Sequence, residues 1–388
     1  MKTNIDNIDI EVNIRDCEEI LKRINEVGRN NFLVHDISEV GIFKDWFEIK
    51  NRKIIKNNFE KDPTNKIILT NFLYLNAVMD QGRDPEGVRQ LLVRVTNLLY
   101  SKDINFLHEP EKFFKNTIFI SNILQDEHKE VKKIRKPETG ISSYSLFDTK
   151  INPYTMHRWG TVMLCLKKLK ESKLNLLEFI KRAGYAEKAS VIIRNDNEFG
   201  LGNAIGYKAS RLLIKWLIHT FKVINENNQR WGPNSFELPL DSNVGGILMR
   251  SGYIFAFTTP DELWNSRCWI KQPDGRINLS AQRLRDLDII VEKNFKKTMK
   301  EMLSQWGRIN KLNIMRTINT FVYNFLKDGM NISIGQLDDG FMHIGKHCIN
   351  TDIPNCNDCD INDICLANTK VNVLKFKYYC GTGQGVFY

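Results

Sequence analysis

Between residues 18 and 27 the apolar positions Ile20, Leu21 and Ile24 recur at helical spacing, so an amphipathic helix is predicted near the N-terminus. The pattern then changes. Phe32-Leu33-Val34, Trp46-Phe47-Glu48-Ile49 and Lys53-Ile54-Ile55 are short runs rich in aromatic and β-branched residues, and Asn51-Arg52 between the last two is a candidate hairpin turn. From Lys66 onward the period is helical again. Residues 67–79 and 85–100 read as a helix pair broken at Asp80-Gln81-Gly82-Arg83-Asp84. Pro85 suits the first helical turn, where its missing N–H would have had no intrahelical acceptor. Further helices are expected at 157–172, 174–183, 207–225, 244–251, 280–306 and 311–326. The polar, basic stretch 127–145, with its run Lys132-Lys133-Ile134-Arg135-Lys136, reads as a solvated loop. The predicted class is mainly α with a small N-terminal β decoration.

A chain of 388 residues exceeds what one small core supports, so two or more subdomains are expected. A formal charge of +10 points toward a polyanionic partner, although the basic residues are spread throughout and motifs must decide. No apolar run approaches the roughly eighteen residues that span a bilayer, and Met1 to Asp6 lack the apolar core of a signal peptide. The expectation is an intracellular, cytoplasmic protein whose thiols stay reduced.

In that setting cysteine spacing carries information. Cys17, Cys165, Cys268 and Cys380 are scattered, whereas Cys348, Cys356, Cys359 and Cys365 fall within 18 residues. A group this tight in a reduced protein reads as metal ligation. Thiolates hold zinc and iron–sulfur clusters alike. Only one C-x2-C knuckle is present, and a compact loop with unequal gaps suits wrapping a cubane, but spacing alone leaves zinc open.

The segment Gly345-Lys346-His347-Cys348, continued by Pro354-Asn355-Cys356-Asn357-Asp358-Cys359-Asp360-Ile361-Asn362-Asp363-Ile364-Cys365, resembles the cluster loop of endonuclease III-like enzymes. These belong to the helix-hairpin-helix superfamily of DNA glycosylases, whose first cysteine gap is one residue shorter. The resemblance implies a 4Fe–4S cluster on Cys348, Cys356, Cys359 and Cys365, structural or redox-sensing because no iron is left open, with Lys346 and His347 facing phosphates. Upstream, Gly202-Asn203-Ala204-Ile205-Gly206-Tyr207-Lys208-Ala209-Ser210 resembles the family's hairpin signature, with Ala204 standing where the first of two glycines is usual. It implies that the backbone of Asn203, Ala204, Ile205, Gly206 and Tyr207 binds a DNA phosphate at a helix start, with a monovalent cation as a further expectation. Lys208 then matches the nucleophilic lysine.

Leu238-Pro239-Leu240-Asp241-Ser242-Asn243 looks like the segment carrying the catalytic aspartate, so Asp241 takes that role; by residue type alone it is a helix N-cap. The 33 residues separating Lys208 from Asp241 exceed the endonuclease III gap and resemble the archaeal 8-oxoguanine glycosylase branch. Gln81, in the loop after Phe72-Leu73-Tyr74-Leu75-Asn76-Ala77-Val78-Met79, matches the glutamine that fills the place of an everted base. The matches cover residues 67–100, 200–252 and 335–366.

Together they imply a two-subdomain helical glycosylase fold. Its parts would be an N-terminal extension with short β segments (1–60), a helical subdomain with the wedge loop (61–200), the hairpin and aspartate region (201–335), and the iron–sulfur loop and tail (336–388). The expected activity is excision of a damaged base, in particular an oxidised one such as 8-oxoguanine, from double-stranded DNA by a monomeric glycosylase and AP lyase. The base is flipped out and Lys208, which must be neutral to attack, forms a Schiff base. A monofunctional glycosylase acting on a mismatched or deaminated base, a non-catalytic DNA-binding protein and a zinc-stabilised module remain open readings of the same residues.

Overall fold

The computed structural model describes residues 2–5, 8–11, 14–30, 39–50, 53–56, 58–80, 85–139, 153–225, 230–241, 244–245, 247–248, 251, 253, 308–348 and 355–365. In chain order the elements are β1 (Lys2–Ile5), β2 (Ile8–Glu11), α1 (Ile14–Asn30), β3 (Phe47–Lys50), β4 (Lys53–Lys56), α2 (Pro63–Met79), α3 (Pro85–Tyr100), α4 (Pro110–Lys115) and α5 (Thr117–Thr139). They continue with α6 (Pro153–Glu171), α7 (Leu176–Lys181), α8 (Ala186–Asn195), α9 (Tyr207–Lys215), α10 (Arg308–Lys327) and α11 (Ile334–Cys348). The mainly α class holds, and the described strands form two antiparallel hairpins. Among the described residues no helix is long and apolar enough to cross a membrane. The chain divides into two compact units, Met1–Leu33 with Leu240–Tyr388, and Val34–Pro239.

Several boundaries follow from local chemistry. α3 runs as the pattern predicts, and α2 starts earlier because Asp62 caps it: the carboxylate accepts the Thr64 N–H at 2.8 Å and Pro63 fills the first helical position. β3 and β4 pair from Phe47↔Lys56 to Lys50↔Lys53, which makes Asn51-Arg52 the two-residue connection expected. The β-rich run at 32–34 and the helix expected at 280–306 lie outside the described residues.

Two expectations are corrected. The stretch read as a loop is helical from 127 to 139, as the second half of α5. Ile120, Leu124, His128 and Val131 are buried at successive steps of four, four and three, a stripe that the surrounding lysines obscure. The polar face is laced by Lys129–Asp126 at 2.9 Å and Lys133–Glu130 at 2.7 Å, and Glu127 pairs with Arg94 of α3. The helix expected over 207–225 is α-helical only to Lys215; a π-helical turn follows over Trp216–Thr220, and Lys222 adopts a left-handed backbone at φ 47°. Hairpin β1–β2 and helices α4, α8 and α11 went unread in the pattern.

In the Val34–Pro239 unit every residue of α2 from Leu69 to Met79 is buried. A helix apolar on all sides belongs at the centre of its unit, and α3, α6, α7 and α9 surround it. The β3–β4 hairpin covers the end of the α9 segment: Phe47 packs on Phe59 and on Phe221, with ring centroids 5.0 and 5.9 Å apart, and Lys56 Nζ donates to the Lys222 carbonyl at 2.7 Å.

In the other unit α1 crosses α11 at two glycines. A β-carbon on Gly28 would overlap the Gln336 carbonyl, and one on Gly340 the Ile24 carbonyl, so the two backbones touch. The buried Asn25 side chain donates to the Asn331 carbonyl at 3.2 Å and accepts from the Ser333 N–H at 3.1 Å, while the Ser333 hydroxyl accepts from Gln336 N–H at 3.1 Å. α1 thereby fixes where α11 begins.

Gly340→Ala is expected to cost about 1–3 kcal/mol through overpacking, read as a lower urea midpoint. Gly160→Ala in α6 is the control, because its β-carbon would meet Phe113 at 3.8 Å, an ordinary contact. That change is expected to be neutral or stabilising by up to about 1 kcal/mol.

Candidate active site and cysteine loop

α8 and α9 pack together around the turn 196–206. Asp196 builds that turn: its carboxylate accepts the N–H groups of Phe199 at 3.2 Å and Leu201 at 2.9 Å, and its carbonyl accepts Gly202 N–H at 3.1 Å. Gly200 is left-handed at φ 84°, and Gly202 lies against the Arg194 carbonyl where a β-carbon would clash. From α2, the fully buried Tyr74 hydroxyl donates to the Leu201 carbonyl at 2.9 Å. Ala204, which stands where the resemblance places a glycine, sits at φ −109° and ψ −16°, where no glycine is needed; the left-handed residue of this turn is Gly200 instead. Ile205 is buried as the plug of the turn, and Asn203 is exposed.

Gly206 precedes α9 with extended backbone and makes no side-chain cap to the helix start. Tyr207 and Lys208 are the first two residues of α9, both half-buried. The Tyr207 ring is sandwiched between the guanidinium of Arg194 at 4.0 Å and that of Arg211 at 4.1 Å. Burial alone would push the Tyr207 phenol up, but Arg211 and then Arg194 outweigh it and hold the group below the usual tyrosine range.

Arg211, one turn beyond Lys208, is only 1% exposed. It is paired with Glu187 in the first turn of α8 and with Glu237 at 2.6 Å. Glu187 also accepts the Glu237 N–H at 3.0 Å.

Asp241 caps a helical turn. Its carboxylate accepts the Val244 N–H at 2.9 Å, its carbonyl accepts the Gly245 N–H at 2.9 Å, and Val244, Gly245, Ile247 and Leu248 are helical. Lys208 belongs to the Val34–Pro239 unit and Asp241 to the other. Gln81 lies outside the described residues.

The cysteine loop starts at the last residue of α11, Cys348. The Asn355 N–H donates to the His347 carbonyl at 2.9 Å, which returns the chain to the end of that helix just before Cys356. Backbone bonds from Cys359 to Cys356 (3.2 Å), Asn362 to Cys359 (3.0 Å) and Cys365 to Ile361 (2.8 Å) then wind residues 356–365 around the buried Ile361. The loop is tied down by Arg23 of α1 on Asp363 at 3.1 Å and by His343 of α11 on Asp360 at 3.3 Å. All four thiols are half-buried. Burial pushes Cys359 up to about 11, and Cys348, Cys356 and Asp360 raise it further against a hydrogen bond from Ile361 that lowers it.

A Cys359 thiol raised in part by Cys348 and Cys356 belongs to a donor set that iron or zinc would hold as thiolates. Among the described residues no three His, Cys, Asp or Glu side chains close to metal-holding geometry. Lys346 is exposed, while His347 is half-buried beside His343, with ring centroids 5.8 Å apart.

Sequence reading alone missed Tyr74, Asp196, Glu187, Arg211 and Glu237. Arg211 carried a signal, a charge set among Leu212, Leu213 and Ile214 on a helix. No protein-family model, curated protein or solved structure matches the chain.

Asp196→Ala is expected to expose the Phe199 and Leu201 amides, since each loses its acceptor. Hydrogen exchange at these two positions should accelerate about tenfold or more, consistent with roughly 1–3 kcal/mol for a lost partner, while α2 amides stay protected.

Proposed function

We propose that the chain is a DNA base-excision glycosylase with AP-lyase activity, acting on double-stranded DNA that carries a damaged base. The observation that carries this reading is the α8–α9 turn. It is held by the Asp196 carboxylate, presents the exposed Gly206 at a helix start, the kind of place where a phosphate binds, and delivers Lys208 as the second residue of the helix. The charge of +10 supports a polyanionic partner, and the 33-residue separation of Lys208 from Asp241 favours an oxidised base such as 8-oxoguanine.

With the nucleotide flipped out of the duplex, the neutral Lys208 amine attacks C1′ of the sugar. The bond from C1′ to the base breaks, and the base leaves with the bonding electrons and takes up a proton. The Asp241 carboxylate stabilises positive charge developing on the sugar and accepts the proton lost by the lysine nitrogen. Opening of the sugar ring gives the imine; removal of a C2′ proton then expels the 3′ phosphate with its electron pair and nicks the strand. Gln81 fills the space left in the duplex. The backbone of residues 203–207, with a monovalent cation, holds a phosphate beside the lesion, and Lys346 and His347 hold another.

Cys348, Cys356, Cys359 and Cys365 would hold a 4Fe–4S cluster, which with four thiolate ligands offers no open iron for the reaction and supplies structural or redox function. The thiol donor set and the mutual influence of Cys348, Cys356 and Cys359 support this assignment. Protein purified without oxygen is expected to be brown, with broad blue–violet absorbance that Cys356→Ser abolishes. A colourless protein containing zinc would replace the cluster by a zinc site.

Borohydride trapping tests the reaction, using duplexes that carry 8-oxoguanine, thymine glycol, uracil or an abasic site. A covalent adduct is expected with the abasic and 8-oxoguanine duplexes and lost in Lys208→Gln. Absence of an adduct on every duplex would sink the lyase reading and leave a monofunctional or binding-only protein.

A further inference from the structure

We infer that Arg211 is a positioning residue for this reaction, its clamp on Glu187 and Glu237 fixing the start of the helix that carries Lys208. The inference rests on the lyase reading proposed above.

Arg211 lies three residues after Lys208, one turn along α9. Glu237 lies four residues before Asp241. The guanidinium therefore ties the Lys208 helix to Glu237 within the same unit. Its other ion partner, Glu187, sits in the first turn of α8, the helix that leads into the α8–α9 turn. The returning segment is anchored at that same place by backbone bonds, Ala186 N–H to the Arg230 carbonyl at 2.9 Å and Glu187 N–H to the Ser235 carbonyl at 3.1 Å. Arg211 also reaches the Tyr207 carbonyl at 3.4 Å and covers the Tyr207 ring, which fixes the residue next to Lys208.

Stability alone is a poor reason for this arrangement. A buried ion pair must first repay the cost of removing charges from water, and apolar residues of similar size often do as well or better. The neighbours Leu212, Leu213 and Ile214 show that apolar side chains suit this helix. Arg211 Nε is moreover buried with no acceptor among the described residues, a defect that a purely stabilising site would shed. What a planar, multiply donating guanidinium adds over a methionine is fixed direction toward several partners at once. Direction matters here because small misplacements of reacting groups cost rate steeply.

The test is the triple variant Glu187→Gln/Arg211→Met/Glu237→Gln, which leaves no buried unpaired charge. Its thermal midpoint, its affinity for an abasic duplex and its single-turnover trapping rate on that duplex are measured beside the native protein. The expected result is a midpoint and affinity near native, within about threefold for binding, with trapping slowed about 30-fold or more. Arg211→Lys is expected to remain slow, because an ammonium cannot reproduce the bridge. A folded triple variant that traps at the native rate would overturn the inference. If the triple variant does not fold, Glu237→Gln alone decides: about fivefold slower trapping at native affinity supports the clamp, and a native rate overturns it. Native protein that traps nothing on any duplex overturns the lyase reading and this inference with it, before any variant is made.

Discussion

The Val34–Pro239 unit depends on the burial of α2. Eleven consecutive residues, Leu69 to Met79, are withdrawn from water, and four of them, Thr70, Asn71, Tyr74 and Asn76, carry polar groups that must find partners or pay for desolvation. That requirement orders the surroundings. Asn71 donates to the Leu107 carbonyl at 2.7 Å, which holds the chain entering α4. Tyr74 donates to the Leu201 carbonyl, which fixes the α8–α9 turn from beneath. The turn proposed to bind phosphate thus takes its shape from the core, and leaves Asn197, Glu198, Asn203 and Gly206 to solvent. A rigid turn loses little entropy when it receives a ligand, which suits a backbone site whose donors cannot adjust individually.

The cysteine loop has a different foundation. α1 and α11 meet at Gly28 and Gly340 with their backbones in contact, so the N-terminal helix is part of the frame that carries Cys348. Arg23 of the same helix then reaches Asp363 in the loop. This exposed pair adds little energy by itself. Its value is geometric, since it joins the loop to a helix whose position the glycine crossing has already set. Residues 355–365 are therefore placed by α1, α11 and the buried Ile361.

How much was legible in the sequence follows from what each signal measures. Hydrophobic spacing found α3 to the residue, and runs of aromatic and β-branched residues found the β3–β4 pair. It failed on α5, where lysines surround a sparse stripe of four buried positions, and on the end of α9, where Trp216-Leu217-Ile218 continue the apolar pattern across the change from α to π geometry. At the site, the cysteines, the glycine turn and Asp241 were visible as motifs, and the capping role of Asp241 was readable from residue type. Arg211, Glu187, Glu237 and Tyr74 were not, since their meaning lies in partners 24 to 127 residues away. Periodicity and local motifs contain no such pairings. The substitution of Ala204 for a glycine was legible as a departure, but its harmlessness was not: only the backbone reveals that the left-handed position belongs to Gly200.

The long separation of Lys208 from Asp241 and the β hairpin before α2 are best understood as one feature. A free insertion after α9 would leave Phe221 exposed and its end of the π-helical turn frayed. Here Phe47 of β3 packs on Phe221, and Lys56 of β4 donates to the carbonyl of Lys222, the residue held in the left-handed region. Burial depresses the Lys56 ammonium below its ordinary range while Glu60 opposes that shift, so this lysine is partly withdrawn from water to make the contact. The chain beyond is then recaptured at the start of α8 through Arg230 and Ser235. Phe221 and Lys222 on one side and Arg230 and Ser235 on the other are thus all held within the Val34–Pro239 unit. A chain with no β hairpin here would have to cover Phe221 by other means.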